Sequence, residues 1–305
     1  MKSKGDIFDL TLADFRTYLR LERSFSPNTI AAYSRDCSKL FVFLKGRGVT
    51  SPEAAVLDDL ASFLETIFEE GISKRSQARM SSSIKSMYRF LASEGRLQDN
   101  PCDKLMAPKI NPYLPTVLTV EEVEAILASV DLSKPEGQRD RAILEVLYSC
   151  GLRVSEAADL RISNLYLAER FIKVFGKGSK QRLVPIGDPA IKELSLWLDV
   201  RKGWKTAPQS EDIVFINRRG GRLSRVSIFN LVKAQTAAAG VKKPVSPHTF
   251  RHSFASHLVE NGADLRVVQE MLGHESILTT EIYTHIDTRK WQRTILEHHP
   301  MNNQQ

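Results

Sequence analysis

This chain contains few cysteines and no long run of apolar residues. The three cysteines among 305 residues are Cys37, Cys102 and Cys150, which lie far apart. A disulfide framework or a cysteine-bound zinc site is therefore not expected, and a reducing compartment fits. No stretch approaches the ~20 apolar residues of a membrane span, and the N-terminus lacks the apolar core of a signal peptide. The sequence predicts a cytoplasmic protein without membrane insertion.

Acidic residues are outnumbered, since 43 Lys and Arg stand against 36 Asp and Glu and give a net charge of +7. This excess favours an acidic polymer as partner. Acids are missing altogether between Gly71 and Ser93, where basic residues alternate with serines. A solvated helix face is the commoner meaning of such a run, but cations with hydroxyls are also what phosphate contacts along a duplex require. The predicted DNA contacts here are Lys74, Arg75, Arg79, Lys85 and Arg89.

The length suits two domains. Helical periodicity fills the first hundred residues, with proline-initiated helices predicted at Ser26-Pro27 and Ser51-Pro52 and a buried stripe from Val56 to Phe68. Four such helices make a small bundle. A proline-rich stretch follows, and then a capping box at Thr119 to Glu122. The predicted divisions are an N-terminal domain at 6–105, a linker at 106–117 and a second domain at 118–300.

Between residues 170 and 186 the side-chain pattern repeats every two residues, as in a strand. This alternation predicts a β-hairpin with Gly176, Lys177 and Gly178 at its tip. A third strand is predicted at 213–216. Helical patterns cover 224–239, 247–261 and 265–272. The expected fold is mainly α with a small antiparallel β-sheet.

The sequence of the second domain contains several basic residues, histidines and a tyrosine in a pattern that suggests a chemical site. Two cations three residues apart share a helical face, and a further imidazole and a tyrosine follow. This pattern favours an oxyanion site beside a possible nucleophile, and two upstream cations would complete a nest suited to a phosphodiester under attack. In chain order the candidates are Arg153, Lys177, His248, Arg251, His274 and Tyr283.

Ordinary interpretations compete with this one. The arginines can form salt bridges with acids such as Glu156 and Asp159, and Lys177 can be a solvated turn residue. His248 and His252, four residues apart, also suggest zinc, but no glutamate of a metallohydrolase stands between them.

The order of the six candidates resembles the active-site set of the tyrosine recombinases, the phage integrase family. Residues 176–185, 246–257 and 261–285 resemble it too, and the similarity covers about residues 8–300. Within the family the chain is most similar to the Xer recombinases, which resolve chromosome dimers. It resembles the XerD branch more than XerC through residues 262–269 and the tail at His298-His299-Pro300.

The resemblance implies a two-domain DNA clamp, with an N-terminal core-binding helical domain and a tyrosine recombinase catalytic domain. It implies that the tyrosine forms a 3′-phosphotyrosyl link, that the arginines and histidines serve the phosphate, and that the hairpin lysine protonates the leaving 5′ oxygen. No metal or cofactor is implied. Two further basic residues compete for the role of the acid or contact the DNA backbone: Lys180 and Arg182.

The implied partners are double-stranded DNA and a second Xer-type recombinase in a cyclic heterotetramer, or a homotetramer, with a septal DNA translocase as activator. The tail from Trp291 onwards is expected to dock on a neighbouring protomer, with packing on its own domain as the alternative. The competing functions are an XerC-like partner, a phage or mobile-element integrase, a type IB topoisomerase and a DNA-binding scaffold without catalysis.

Overall fold

The computed structural model describes residues 6–105, 116–176, 181–273 and 285–302, without the side chains of 285–290 and 302. The chain divides into two units, Met1–Tyr113 and Leu114–Gln305. Most of the predicted linker, 106–115, lies outside the described residues. No described helix has the length and apolar character needed to span a bilayer.

The first unit is a helical bundle. Side chains of Asp6, Ser26 and Ser73 cap three of its helices by accepting backbone N–H groups. Apolar faces meet in a core that includes fully buried Phe15 and Leu40. The helices in the described part are α1 (Ile7–Leu21), α2 (Pro27–Gly46), α3 (Leu57–Glu69) and α4 (Lys74–Ser93).

The predicted start of the third helix is wrong. Ser51-Pro52 opens a single 3-10 turn, Pro52–Ala54. Helix α3 begins only at Leu57, where the Asp59 carboxylate accepts the Val56 N–H at 3.1 Å. Val56 thus lies outside the helix and is 58% exposed, and Phe68 in the last turn is 64% exposed. The predicted buried stripe therefore fails at both ends.

The second unit begins at the predicted capping box. The Thr119 N–H donates to the Glu122 carboxylate at 2.8 Å, and the Glu122 N–H donates to Thr119 Oγ1 at 3.2 Å. Helix α6 forms the centre of this unit, since Ala142 to Ser149 are all buried. The described helices are α5 (Val120–Ala128), α6 (Gly137–Ser149), α7 (Val154–Ala158), α8 (Asp188–Arg201), α9 (Arg225–Ala238), α10 (Pro247–Glu260), α11 (Leu265–Leu272) and α12 (His285–His298).

The sheet of the second unit is antiparallel in the order β1 (Leu165–Tyr166), β2 (Phe171–Phe175), β3 (Gln181–Pro185). The two strands of the predicted hairpin pair, with Val174 opposite Arg182, while the predicted tip at 177–178 lies outside the described residues. The third strand predicted at 213–216 is wrong, because that run makes only isolated bridges at Ile213 and Ile216. Val214 bonds instead to the Leu160 carbonyl and to the Trp197 side chain.

The C-terminal helix packs on its own unit. Trp291 and Ile295 are 3% and 2% exposed within the core of the second unit, and α12 contacts α10 and β3. His299, just beyond α12, is buried against the rings of Tyr148 and Phe254. In this chain the apolar face of the tail is therefore covered by its own domain, which was the alternative to docking on a neighbour.

Candidate active site

Arg153 is held at the start of α7 by a local device. Its backbone N–H and its Nη1 both donate to the Glu156 carboxylate, at 2.8 and 2.9 Å, because a glutamate three residues into a helix reaches back to the cap residue. Its Nη2 donates to the Gly273 carbonyl at 3.0 Å, beyond the end of α11. With 35% of its side chain exposed, Arg153 remains open to solvent.

Arg251 projects from α10 into the interior and is 8% exposed. Its Nη1 donates to the Gly151 carbonyl at 2.5 Å and its Nη2 to the Leu272 carbonyl. Burial, reinforced by the like charges of Arg153 and Arg182, lowers the pKa of the Arg251 guanidinium to about 9. The described partners of Arg251 are thus carbonyl dipoles, while other cations lie near enough to repel it.

Arg182 of β3 lies inside the unit, only 5% exposed, although the sequence suggested a contact with the DNA backbone. Both of its terminal nitrogens donate to Glu156, one of them at 2.9 Å, in a two-bond fork. Burial would raise the pKa of the Glu156 carboxyl, but the hydrogen bonds and charges of Arg182 and Arg153 outweigh it and hold that pKa below its ordinary value. Glu156 therefore stays ionised at neutral pH.

The cluster has an excess of positive charge, because Arg153 and Arg182 share the carboxylate of Glu156 while the guanidinium of Arg251 bonds to backbone carbonyls beside them. Such an arrangement attracts an anion, and planar guanidinium forks match the non-bridging oxygens of a phosphate. Chemically, it suits stabilisation of the charge that develops on a phosphoryl group under attack.

The histidines of α10 separate into two kinds. His248 is exposed in the first turn and His252 is exposed one turn later, whereas His257 is buried. The Nε2–H of His257 donates to the Leu118 carbonyl at 2.8 Å and its Nδ1 accepts the Tyr148 hydroxyl at 2.8 Å. His257 therefore joins the start of the second unit to α6 and α10, and only His248 and His252 are open to solvent.

Four predicted site residues lie outside the described part of the chain: Lys177, Lys180, His274 and Tyr283. Lys177 and Lys180 fall between β2 and β3 in the sequence, and His274 directly follows Gly273. The structure therefore brings Arg153 and Arg251 together and adds Glu156 and Arg182, while the roles of all the predicted site residues stay predictions.

Helix α4 carries the predicted DNA contacts of the first unit. Lys74, Arg75 and Arg89 are exposed, and Lys85 is half-buried. Arg79 is bound to Asp36 of α2, which is 1% exposed and also accepts the Ser83 hydroxyl at 2.8 Å. Arg79 thus has a structural bond between two helices, whereas the exposed cations remain open to a partner.

Sequence reasoning did not find the pairing of Arg182 with Glu156. Part of the signal was present, because Arg153 and Glu156 have the same spacing as the capping box at Thr119 and Glu122. Arg182 is 26 residues from Glu156, and no local pattern joins them.

Comparison with known proteins gives two family matches. Residues 116–290 match the phage integrase family, and residues 12–95 match its N-terminal SAM-like domain. The tyrosine recombinase XerD of Chlorobaculum tepidum is 46% identical over 290 residues, 94% of this chain and 95% of the relative. XerD of Listeria monocytogenes is 39% identical over 291 residues, 95% and 98% of the two chains.

Among solved structures, the XerH site-specific recombinase bound to its difH substrate in a pre-cleavage complex is similar with a TM-score of 0.66. It is 26% identical, and the match covers 92% of this chain and 83% of that one. The chain therefore belongs to the phage integrase family and is a tyrosine recombinase, a DNA strand-exchange enzyme. Within that family it is a site-specific recombinase of the XerD type.

Proposed function

We propose that this protein cuts and rejoins double-stranded DNA at a dimer-resolution site, through a 3′-phosphotyrosyl link to Tyr283, and so resolves chromosome dimers at cell division. The observation that carries the proposal is the pair Arg153 and Arg251, held by carbonyl groups at the end of α11 directly before His274 in sequence. The XerD relatives support the biological role by their similarity over nearly the whole chain.

In the proposed reaction the Tyr283 hydroxyl oxygen attacks phosphorus and the bond from phosphorus to the 5′ oxygen breaks. Lys177 protonates that oxygen, and His248 assists the phosphate and the nucleophile's proton. The phosphotyrosyl ester retains the energy of the broken diester, so rejoining requires no nucleotide cofactor.

Arg153, Arg251 and His274 are proposed to donate to the non-bridging oxygens, where charge develops as the pentacoordinate state forms. Because Arg251 is buried and bonded to two backbone carbonyls, its guanidinium is held in place before DNA arrives. Preorganised donors of this kind contribute about 3–4 kcal/mol each to the transition state.

The exposed face of α4 is the proposed contact of the first unit with DNA. Arg75, Ser82, Ser86 and Arg89 follow one another at intervals of seven, four and three residues, so they lie along one face of the helix. Lys74 and Lys85 flank this face. Cations and hydroxyls on one face can contact phosphates without reading bases.

The proposed assembly has two domains, 6–105 and 118–300, which close on DNA as a clamp through the linker 106–117. Four protomers would form a ring with a second Xer-type recombinase or as a homotetramer, in the cytoplasm, with a septal DNA translocase as activator. Cyclic symmetry makes the contacts of such a ring equivalent or alternating.

A nicked suicide substrate tests the chemistry. The protein should form a covalent adduct with the 3′ phosphate that survives denaturant, whereas Tyr283→Phe should bind the same DNA and form none. An equal adduct from Tyr283→Phe would reject the assigned nucleophile.

A plasmid without a recombination site separates the alternatives, because a topoisomerase would relax it and a site-specific recombinase would leave it supercoiled.

A further inference from the structure

Three arginines converge on the last three residues before His274. The carbonyl of Met271 accepts the Nε–H of Arg182 at 3.1 Å, the carbonyl of Leu272 accepts Arg251, and the carbonyl of Gly273 accepts Arg153 at 3.0 Å. The final carbonyls of a helix have no partner within it and carry negative partial charge. Cations from β3, α10 and the start of α7 therefore fix the end of α11.

Arg182 differs from the other two arginines in its surroundings. With 6% of its side chain exposed, it is too enclosed to meet a DNA backbone directly. Its Nε faces α11 and its two terminal nitrogens face Glu156, so one planar group joins two parts of the site. A lysine in its place has no planar fork with which to make all three bonds.

The contact between Arg182 and α11 is close. Gly273 has a left-handed φ of +66°, and a Cβ atom there would lie 3.1 Å from Arg182 Cδ. Glycine thus serves both the helix end and the packing of the arginine stem. A shift of Arg182 would therefore displace Gly273, the residue that precedes His274 in the sequence.

Glu156 transmits a second effect of Arg182. The carboxylate receives Arg153 through both its backbone N–H and its Nη1, and it receives Arg182 through the fork. With Arg182 present, the charge of Glu156 is shared, and Arg153 keeps its Nη2 on Gly273 and part of its surface open. Without Arg182, the buried carboxylate would have Arg153 as its remaining cation and would draw it inward or take up a proton.

We propose that Arg182 is a positioning residue for DNA cleavage, which sets Arg153 through Glu156 and sets the end of α11 through the Met271 carbonyl, without touching DNA. The proposal rests on the proposed roles of Arg153 and Tyr283. It assigns to β3 a mechanical link between α7, through Glu156, and the end of α11, through Met271.

The test is single-turnover cleavage of the nicked suicide substrate, together with Kd measured at several salt concentrations. Arg182→Met should cleave about 100-fold more slowly, the effect of a misplacement near 1 Å. Its Kd and the salt dependence of Kd should match the wild type. A phosphate contact would instead lower the slope of log K against log salt by about 0.9.

Arg139→Met is the matched control, because Arg139 is also a buried arginine that bonds a carboxylate, Asp140, and a carbonyl, that of Ile216. It should lower thermal stability while the cleavage rate of the folded protein stays at the wild-type value. Arg182→Lys is the second variant. It retains the charge and should cleave at a rate between those of wild type and Arg182→Met, so it tests the proposal even where Arg182→Met does not fold.

A double variant provides the decisive readout. Because part of the effect of Arg182 passes through Arg153, Arg182→Met combined with Arg153→Ala should lose less cleavage rate than the product of the two single losses. Multiplying effects, a wild-type rate for Arg182→Met, or a reduced salt slope would each overturn the proposal. Failure of the wild-type protein to form any adduct, or an adduct from Tyr283→Phe, would instead reject the underlying function.

Discussion

His299 offers a test of how the tail is held. It is 1% exposed, and its ring centre lies 5.0 Å from that of Tyr148 and 5.8 Å from that of Phe254. Its Nδ1 accepts the Met301 N–H at 3.3 Å, which places the proton on Nε2. Within the described part of the chain Nε2 has no hydrogen-bond partner. We therefore expect the imidazole to destabilise the folded unit in two separable ways.

The first cost is the buried Nε2–H without a partner, worth about 1–3 kcal/mol. The second depends on pH. Burial, reinforced by His257, lowers the pKa of His299 from 6.5 to about 3. As the pH falls below 6.5, the unfolded chain takes up a proton that the folded chain refuses, so stability is lost between pH 6.5 and pH 3. At pH 5 this loss is about 2 kcal/mol.

The substitution His299→Phe keeps a ring among Tyr148 and Phe254 and removes both costs. The variant should be more stable than wild type by about 1–3 kcal/mol at pH 8, and its advantage should grow by about 2 kcal/mol at pH 5. Urea unfolding followed by tryptophan fluorescence measures this, because all three tryptophans, Trp197, Trp204 and Trp291, lie in the second unit.

The matched control is His252→Phe on the exposed face of α10, which makes the same replacement at the surface and should change stability at pH 8 by no more than about 0.5 kcal/mol. An advantage of His299→Phe that is equal at pH 8 and pH 5 would refute the neutral buried imidazole. A variant less stable than wild type at pH 8 would refute the unsatisfied Nε2–H.

Three other predictions concern the proposed chemistry and its frame. Lys177→Ala should cleave DNA with sulfur in place of the leaving 5′ oxygen far faster than normal DNA, since a thiolate needs no proton; rescue of Lys180→Ala instead would reassign the acid. Arg75→Ala with Arg89→Ala should lower the salt slope of DNA binding by about 1.8, and an unchanged slope would remove α4 from the interface. Gly151→Ala should destabilise the second unit by about 3 kcal/mol in urea unfolding, because Gly151 has a φ of +56° and its Cβ would lie 2.6 Å from Phe254 Cδ1; a wild-type unfolding midpoint would contradict this.

Local signals predicted the elements that depend on local bonds. The helix at 265–272 has the predicted bounds, because its apolar period and the cap at Asp264 lie within a few residues. Ser26-Pro27 and Ser51-Pro52 show the limit of such signals. Ser26 accepts the Thr29 N–H and starts α2, whereas Ser51 makes no side-chain cap bond and a 3-10 turn follows. The same Ser-Pro dipeptide starts an α-helix in one place and a 3-10 turn in the other. The residues that follow it decide whether the serine side chain can accept a backbone N–H of the first turn.

Contacts between residues far apart in the chain could not be predicted from the sequence. The run at 213–216 is apolar enough for a strand, but its backbone groups bond to Leu160 and Trp197, and β1 takes the place beside β2. In the site, the sequence pattern and the resemblance pointed to Arg153 and Arg251, and they placed Arg182 as a competitor for the acid or as a contact with the DNA backbone. The partners of Arg182 are 26 and 89 residues away in the sequence, and one arginine in a strand pattern does not indicate which residues it contacts.

The arginine cluster also explains why this site favours an occupied state. Three cations around one carboxylate repel one another, and the depressed pKa of Arg251 expresses that repulsion. A phosphodiester placed among them removes the repulsion and adds charge-assisted hydrogen bonds, and these bonds strengthen as charge develops on the phosphoryl oxygens. Since a ligand that binds only the folded state stabilises it, DNA carrying the site should protect the second unit against unfolding. In the proposed reaction, the positive charge that weakens the free protein would be the same charge that serves the transition state, and Glu156 and Arg182 would keep it in place.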